Sequence, residues 1–310
     1  MPTIQSFADL LAAACHPPPV AIAIAGADEI EVLRAAVESE RRGLASPYLV
    51  GPQARVRSLA ARAGLDLDAC QLIDSEGADA TAQRTMDLIR SGQARVAVKG
   101  AVSSTVFLHA ALDRTLGVRT DQLVSHVGVF QIPGYPRLLC ISDGGVILYP
   151  TLEQKIGIIR NAIGVARTLG IRRPRVALLA GSDEVSAERP ATLEIASLVA
   201  MRGLWDSLGA WVDGPLALDT AVDPAAAARA GRSGHVAGQA DVLVGPTAEA
   251  TNTMAKGITY FADGAMAGVV VGARVPLALG SRADHAETRL ACIAIGVLLA
   301  KNPPGSFERR

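Results

Sequence analysis

Residues 276–300 read PLALGSRADHAETRLACIAIGVLLA. The opening run, Pro276–Leu279, is apolar without alternation, the pattern of a short strand buried on both faces. Gly280 stops it, and from Asp284 onward the spacing turns helical and stays apolar to residue 300. A strand, a tight turn and a helix in one stretch form the unit from which doubly wound, mostly parallel α/β sheets are built. In such sheets ligands bind beyond the carboxyl ends of the strands. A helix N-terminus there offers free N–H groups and partial positive charge to a phosphate. Arg282 would add a guanidinium fork for phosphate oxygens, and Asp284 or Glu287 a general base. A plainer reading stands beside this one: Ser281 with Asp284 is an S-x-x-D pattern that merely starts a helix.

Similar apolar runs recur at 20–25, 47–50, 71–74, 95–98, 138–142, 175–180, 210–213, 241–244 and 267–271. Helical spacing fills most gaps between them, at 28–42, 53–63, 79–91, 104–113, 152–168, 190–207, 249–261 and 284–300. A short amphipathic helix is expected over 4–14, ahead of Pro17-Pro18-Pro19. Residues 118–137 break the alternation; their valines and the Pro133-Gly134-Tyr135-Pro136 turn predict a hairpin or edge excursion. The composition shifts at Gly144-Gly145, which reads as a hinge between two α/β units.

At 310 residues the chain suits about two domains of roughly 100–200 residues. Lys and Arg together number 30, as do Asp and Glu; this balance gives no basic surface for nucleic acid or an anionic membrane. Cys15, Cys70, Cys140 and Cys292 are scattered without a CxxC pair, so free, buried thiols in a reducing cytosol are expected. Leu10–Cys15 resembles a lipoprotein cleavage site, yet Asp9 interrupts it and no Lys or Arg precedes it. No run reaches the ~18 apolar residues of a membrane span. The P-loop, the GxGxxG fingerprint, the GxSxG elbow and HExxH are all absent, and the five histidines stand far apart. No metal site or permanently bound cofactor is expected.

A second strand-to-helix junction carries Lys99-Gly100 followed by Ser103, Ser104 and Thr105, again suited to phosphate or to simple capping. Ser125-His126 falls in the hairpin region. Asn252 and Lys256 are four apart and share a helix face. Asp213 ends a strand beside Gly214-Pro215, where a turn role serves equally well.

PLALGSRADHAETRLACIA closely resembles the C-terminal motif of phosphate acetyl- and butyryltransferases. The resemblance extends to VAVKGAVSSTVFLHAAL (96–112), LVSHVGVFQIPGYPRLL (123–139), PTLEQKIGIIRNAI (150–163), WVDGPLALDTAV (211–222) and the stretch 236–282, in order along nearly the whole chain. SRAD, SHVGVF and PGYPRLL are closer to the butyryl branch. The resemblance implies a two-domain α/β/α sandwich like isocitrate/isopropylmalate dehydrogenase, a cleft between the domains and a cytoplasmic homodimer. Residues 1–147 with 271–310 would form the first domain and 148–270 the second. It implies a phosphate acyltransferase whose substrates are coenzyme A, acyl-CoA, phosphate and acyl phosphate. Ser281 and Arg282 would hold the acyl phosphate, and Asp284, with Glu287 in reserve, would deprotonate the CoA thiol. Lys99, Gly100, Ser103, Ser104, Thr105, Ser125, His126, Asn252 and Lys256 would line the substrate site.

Three positions depart from the family pattern. Thr247 stands for an Asp, Thr251 for a Gly and Ile147 for an Asn. They suggest altered specificity or, alternatively, a paralogue that binds CoA esters or phosphate without turning them over. A metal-dependent decarboxylating dehydrogenase on the same fold would need clustered Asp ligands, which the sequence lacks.

Overall fold

The structure is a computed structural model that describes residues 3–281 and 284–302. In chain order the elements are α1 (Phe7–Ala14), β1 (Val20–Ala25), α2 (Ile30–Arg41), β2 (Ala45–Gly51), α3 (Gln53–Arg62), β3 (Gln71–Asp74), α4 (Ala78–Arg90), β4 (Val96–Lys99) and α5 (Ser104–Leu112). There follow β5 (Ser125–Gln131), β6 (Leu139–Ser142), α6 (Leu152–Thr168), β7 (Arg175–Leu179), α7 (Pro190–Val199), α8 (Arg202–Ser207), β8 (Trp211–Leu216), α9 (Leu218–Val222), α10 (Pro224–Arg229), β9 (Val242–Val244) and α11 (Ala248–Phe261). The last are β10 (Ala265–Val271), β11 (Leu277–Leu279) and α12 (Ala286–Lys301).

The architecture is mixed α/β and divides into two compact units. An outer unit takes Ser6–Gln122 and the return segment from Met266; a middle unit takes Leu123–Ala265 with the residues before Ser6. The expected boundary at 147/148 therefore lies too late. Hairpin β5–β6 belongs to the middle unit, because β6 continues in parallel register onto β9.

In the outer unit the strand order is β3-β2-β1-β4-β11-β10, parallel except for β10. The chain runs from β1 outward to β3, then returns to lay β4 on the other side of β1. Right-handed crossovers place α2 and α3 on one face and α4 on the opposite face. The reversal opens a crevice at the carboxyl ends of β1 and β4, the switch point where ligands bind in open α/β sheets. Helix α12 packs against α1 and α2 as well as β4 and β11. It is buried continuously from Arg289 to Ala300, which explains why its sequence is apolar all round.

The middle unit has the order β5-β6-β9-β7-β8, parallel except for β5. The hairpin is closed as expected by the Pro-Gly-Tyr-Pro turn, where Tyr135 N–H donates to Ile132 O. The single helix expected over 190–207 is two helices. The indole Nε1 of buried Trp205 donates to Leu198 O at 2.7 Å, a carbonyl that a continuous helix would need for residue 202. Helices α9 and α10 fill a stretch that sequence periodicity leaves unassigned, with Asp223 as N-cap and Pro224 in the first turn of α10.

Candidate active site

In the outer unit the ends of β1, β4 and β11 lie side by side: Ala25 stands opposite Lys99, and Lys99 opposite Leu279. Two glycines let the backbones close up beyond them. Gly26 turns with φ 81°, a conformation that side chains resist. A Cβ on Gly100 would lie only 2.7 Å from Ala25 O, while its N–H donates to that same oxygen at 2.9 Å. The absence of a side chain at Gly100 is what permits this approach, and its N–H is bonded to β1. Buried Lys99 sends Nζ to the carbonyls of Gly100 and Val102, at 3.2 and 3.4 Å. Ser103 caps α5 by accepting Val106 N–H at 3.2 Å. Ser104 and Thr105 are exposed in the first turn beside it.

Beyond β11, Ser281 N–H donates to Asp284 Oδ2 at 2.6 Å. Helix α12 starts only at Ala286, whose N–H goes to Glu31 Oε2 at 3.0 Å. The Ser281–Asp284 pair is therefore not the helix's own cap; it forms a separate turn ahead of it. Arg289, 5% exposed, reaches back under this turn. Its Nε donates to Asp284 O at 3.1 Å and an Nη to Glu29 Oε1 at 2.9 Å. Lys99, Gly280, Arg289 and Cys292 border a cavity of about 10 Å³, enough for about one water. Burial pushes the Cys292 thiol up to about 12, and Asp284 adds to the shift; a thiol held neutral is no nucleophile. Glu287 is exposed in the first turn of α12. Arg282 lies outside the described residues.

The middle unit gathers a second cluster where β6 ends. The Asp143 carboxylate is 3% exposed. It accepts the N–H groups of Gly145 and Val146 on Oδ1, at 2.8 and 3.0 Å, and that of Ile147 on Oδ2 at 3.1 Å. His126 is buried beside it, and Nδ1 has no hydrogen-bond partner among the described residues. Burial holds the imidazole below its ordinary value, with Asp143 opposing in part. Asn252, exposed on α11, donates Nδ2 to Gly144 O at 2.8 Å. Lys256 is exposed one turn further along. The Ser125 hydroxyl is fully buried and accepts Asn161 Nδ2 at 2.8 Å.

Two of the departures from the family pattern have local explanations. Thr247 is the N-cap of α11 and accepts Ala250 N–H at 3.2 Å, work that an Asp would do equally well. Thr251 is buried, bonds back to Thr247 O at 2.7 Å and packs against Gly245. Nothing in the structure explains the Ile147 side chain.

The sequence reading gave no role to Asp143, Glu29 or Arg289. Asp143 had a legible signal, an Asp followed by two glycines at a strand end. Arg289 had a weaker one, a cation inside an otherwise apolar helix. Glu29 had none, since its partner lies at the other end of the chain. All four cysteines are free; Cys15 is half-buried and the others are buried. Among the described residues no three His, Cys, Asp or Glu gather as metal ligands, and no helix is long and apolar enough to cross a membrane.

The switch-point crevice, the acid-bearing turn and the hydroxyl-bearing helix start meet the strand ends of a mixed α/β protein. The family model for phosphate acetyl/butaryl transferase matches residues 79–297. A phosphate acetyltransferase from Rhizobium meliloti is 38% identical over 291 residues, 94% of this chain and 92% of its own. A phosphate butyryltransferase from Clostridium acetobutylicum is 36% identical over 281 residues, 91% and 93% of the two chains. The crystal structure of a branched-chain phosphotransacylase from Enterococcus faecalis V583 superposes with TM-score 0.78 at 25% identity, covering 91% of this chain and 99% of its own. The chain belongs to the phosphate acetyl/butyryl transferase family.

Proposed function

We propose that this protein exchanges an acyl group between coenzyme A and inorganic phosphate: acyl-CoA + phosphate ⇌ acyl phosphate + CoA. The observation that carries the reading is the Ser281–Asp284 turn at the end of β11, in a chain whose relatives are named for this reaction. Asp284 is half-buried at the mouth of a helix and serves as the base that takes the CoA thiol proton, with Glu287 as the alternate acid. A free thiol has a pKa near ~8.5, so proton removal at the moment of attack raises the reactive fraction. The thiolate attacks the acyl carbon, the C–O bond to phosphate breaks, and phosphate leaves with the electron pair. Ser281 and Arg282 hold the acyl phosphate and stabilise the charge that develops on the carbonyl oxygen. The exposed hydroxyls of Ser104 and Thr105, with Ser103 and Lys99 shaping their loop, suit a phosphate. The family resemblance assigns Gly100, Ser125, His126, Asn252 and Lys256 to substrate binding as well. The reading includes an isocitrate/isopropylmalate dehydrogenase-like fold, a homodimer and a cytoplasmic location.

The test is phosphate-dependent release of CoA thiol from acetyl-, propionyl-, butyryl- and longer acyl-CoA. Turnover that Ser281→Ala and Arg282→Ala both cripple supports the reading and ranks the chains. Folded protein that binds CoA esters yet turns over none of them overturns it.

A further inference from the structure

A buried guanidinium inside an apolar helix is costly unless it is paired and bonded. Arg289 is 5% exposed, and two of its nitrogens meet at the turn ahead of α12 and the start of α2. Nε holds the Asp284 carbonyl at 3.1 Å and an Nη holds Glu29 at 2.9 Å. Glu29 is the N-cap of α2, yet its side chain caps nothing in its own helix; the carboxylate is directed to Arg289 instead. The start of α12 is likewise held from α2, through Glu31 on the Ala286 N–H. Packing alone does not require these polar ties, since α12 already lies against α1 and α2 through apolar residues. What the ties add is a fixed position for the residue between them, Asp284.

We infer that Arg289, anchored by Glu29, is a positioning residue for the proposed reaction: it grips the backbone of Asp284 so that the carboxylate stays on the Ser281 N–H. The inference rests on the acyltransferase reading and on Asp284 as its base. A helix interior is a rigid support, whereas Asp284 lies in a turn with no secondary structure of its own. Arg289 is the lever that transmits the rigidity of α12 and α2 to the turn. A carboxylate displaced by about 1 Å loses on the order of a hundredfold in rate, without a matching loss of substrate affinity.

The test is a double-mutant cycle on thiol release with Arg289→Lys, Asp284→Asn and the two combined, with kcat, both KM values and thermal unfolding recorded for each. Lysine keeps the charge but cannot span both partners in a fixed fork. The expected result is a kcat lowered about a hundredfold in Arg289→Lys, KM values within about threefold of the parent, and no further loss in the double variant beyond Asp284→Asn alone. Losses that multiply, or an unchanged kcat in folded Arg289→Lys, overturn the inference. Should Arg289→Lys fail to fold, Glu29→Gln takes its place in the cycle; it removes the anchor's charge, keeps its shape, and is judged by the same two outcomes. A parent protein inactive on every acyl-CoA sinks the acyltransferase reading itself, and this inference with it. An active parent with a multiplicative cycle sinks the positioning role alone.

Discussion

Each unit presents a carboxylate at the end of a parallel strand, and the two are held in opposite ways. Asp143 in the middle unit accepts three backbone N–H groups from its own loop and is almost fully buried. Asp284 in the outer unit accepts Ser281 N–H, is half-buried, and is steadied from behind through its backbone carbonyl. The first carboxylate is itself the anion that fills a nest of N–H donors. The second is gripped through its main chain as well, by the Arg289 guanidinium on its carbonyl. The contrast sets a carboxylate that organises its own loop against the one proposed above as a base.

The largest expected effect tests that contrast directly. Asp284→Asn should lower kcat for thiol release by about a hundredfold to a thousandfold, the range for a lost general base, with an unfolding midpoint close to the parent's. Asp143→Ala should do the reverse in kind. It strands three N–H groups in a buried loop, so chemical denaturation should show a loss of about 3 kcal/mol, with any fall in activity tracking the unfolded fraction. An Asp143→Ala protein of parental stability, or a fully active Asp284→Asn, breaks the comparison.

A smaller effect concerns the imidazole beside Asp143. Burial lowers the His126 pKa in the folded state, so below about 6.5, the ordinary histidine value, the unfolded chain binds the extra proton first. Stability then falls as pH drops through 6.5 toward the folded value and is fully present above it. Unfolding midpoints measured from pH 8 to pH 5 should therefore decline less steeply in His126→Gln than in the parent. Parallel curves would show that the buried ring does not contribute to acid sensitivity.

These contrasts also mark what the sequence made legible. The strands and the order of helices followed from apolar runs and spacing, because a strand buried on both faces leaves little ambiguity. The 276–300 stretch gave the right strand, turn and helix, but placed the helix start too early. Asp284 looks like part of a helix cap until Glu31, some 250 residues away, is seen to supply that cap. The 190–207 helix was overextended because a side-chain bond within the stretch, from Trp205 to Leu198 O, takes a carbonyl that periodicity assigns to the helix. The bonds that Gly100 N–H makes to Ala25 O and Ser125 Oγ accepts from Asn161 were not legible, because their partners lie far along the chain. The domain boundary at Gly144-Gly145 was drawn from a composition shift, whereas β6 pairs across it with β9, a partner far along the chain.

The smallest effect is the sharpest test of whether departures from a family pattern carry function. Thr247 replaces an expected Asp, yet it caps α11 by accepting Ala250 N–H at 3.2 Å. If capping is its whole role, Thr247→Ala should cost about 1 kcal/mol of stability, and Thr247→Asp should match or slightly exceed the parent, since an acid also suits the positive end of the helix. Neither should change the ranking of acyl chains in the thiol-release assay. A shift in that ranking with Thr247→Asp would instead place the residue in contact with substrate. The middle unit would then hold a determinant of specificity where the local geometry explains only a helix start, and its Asn252, one turn along α11 and bonded to Gly144, would be the next position to vary.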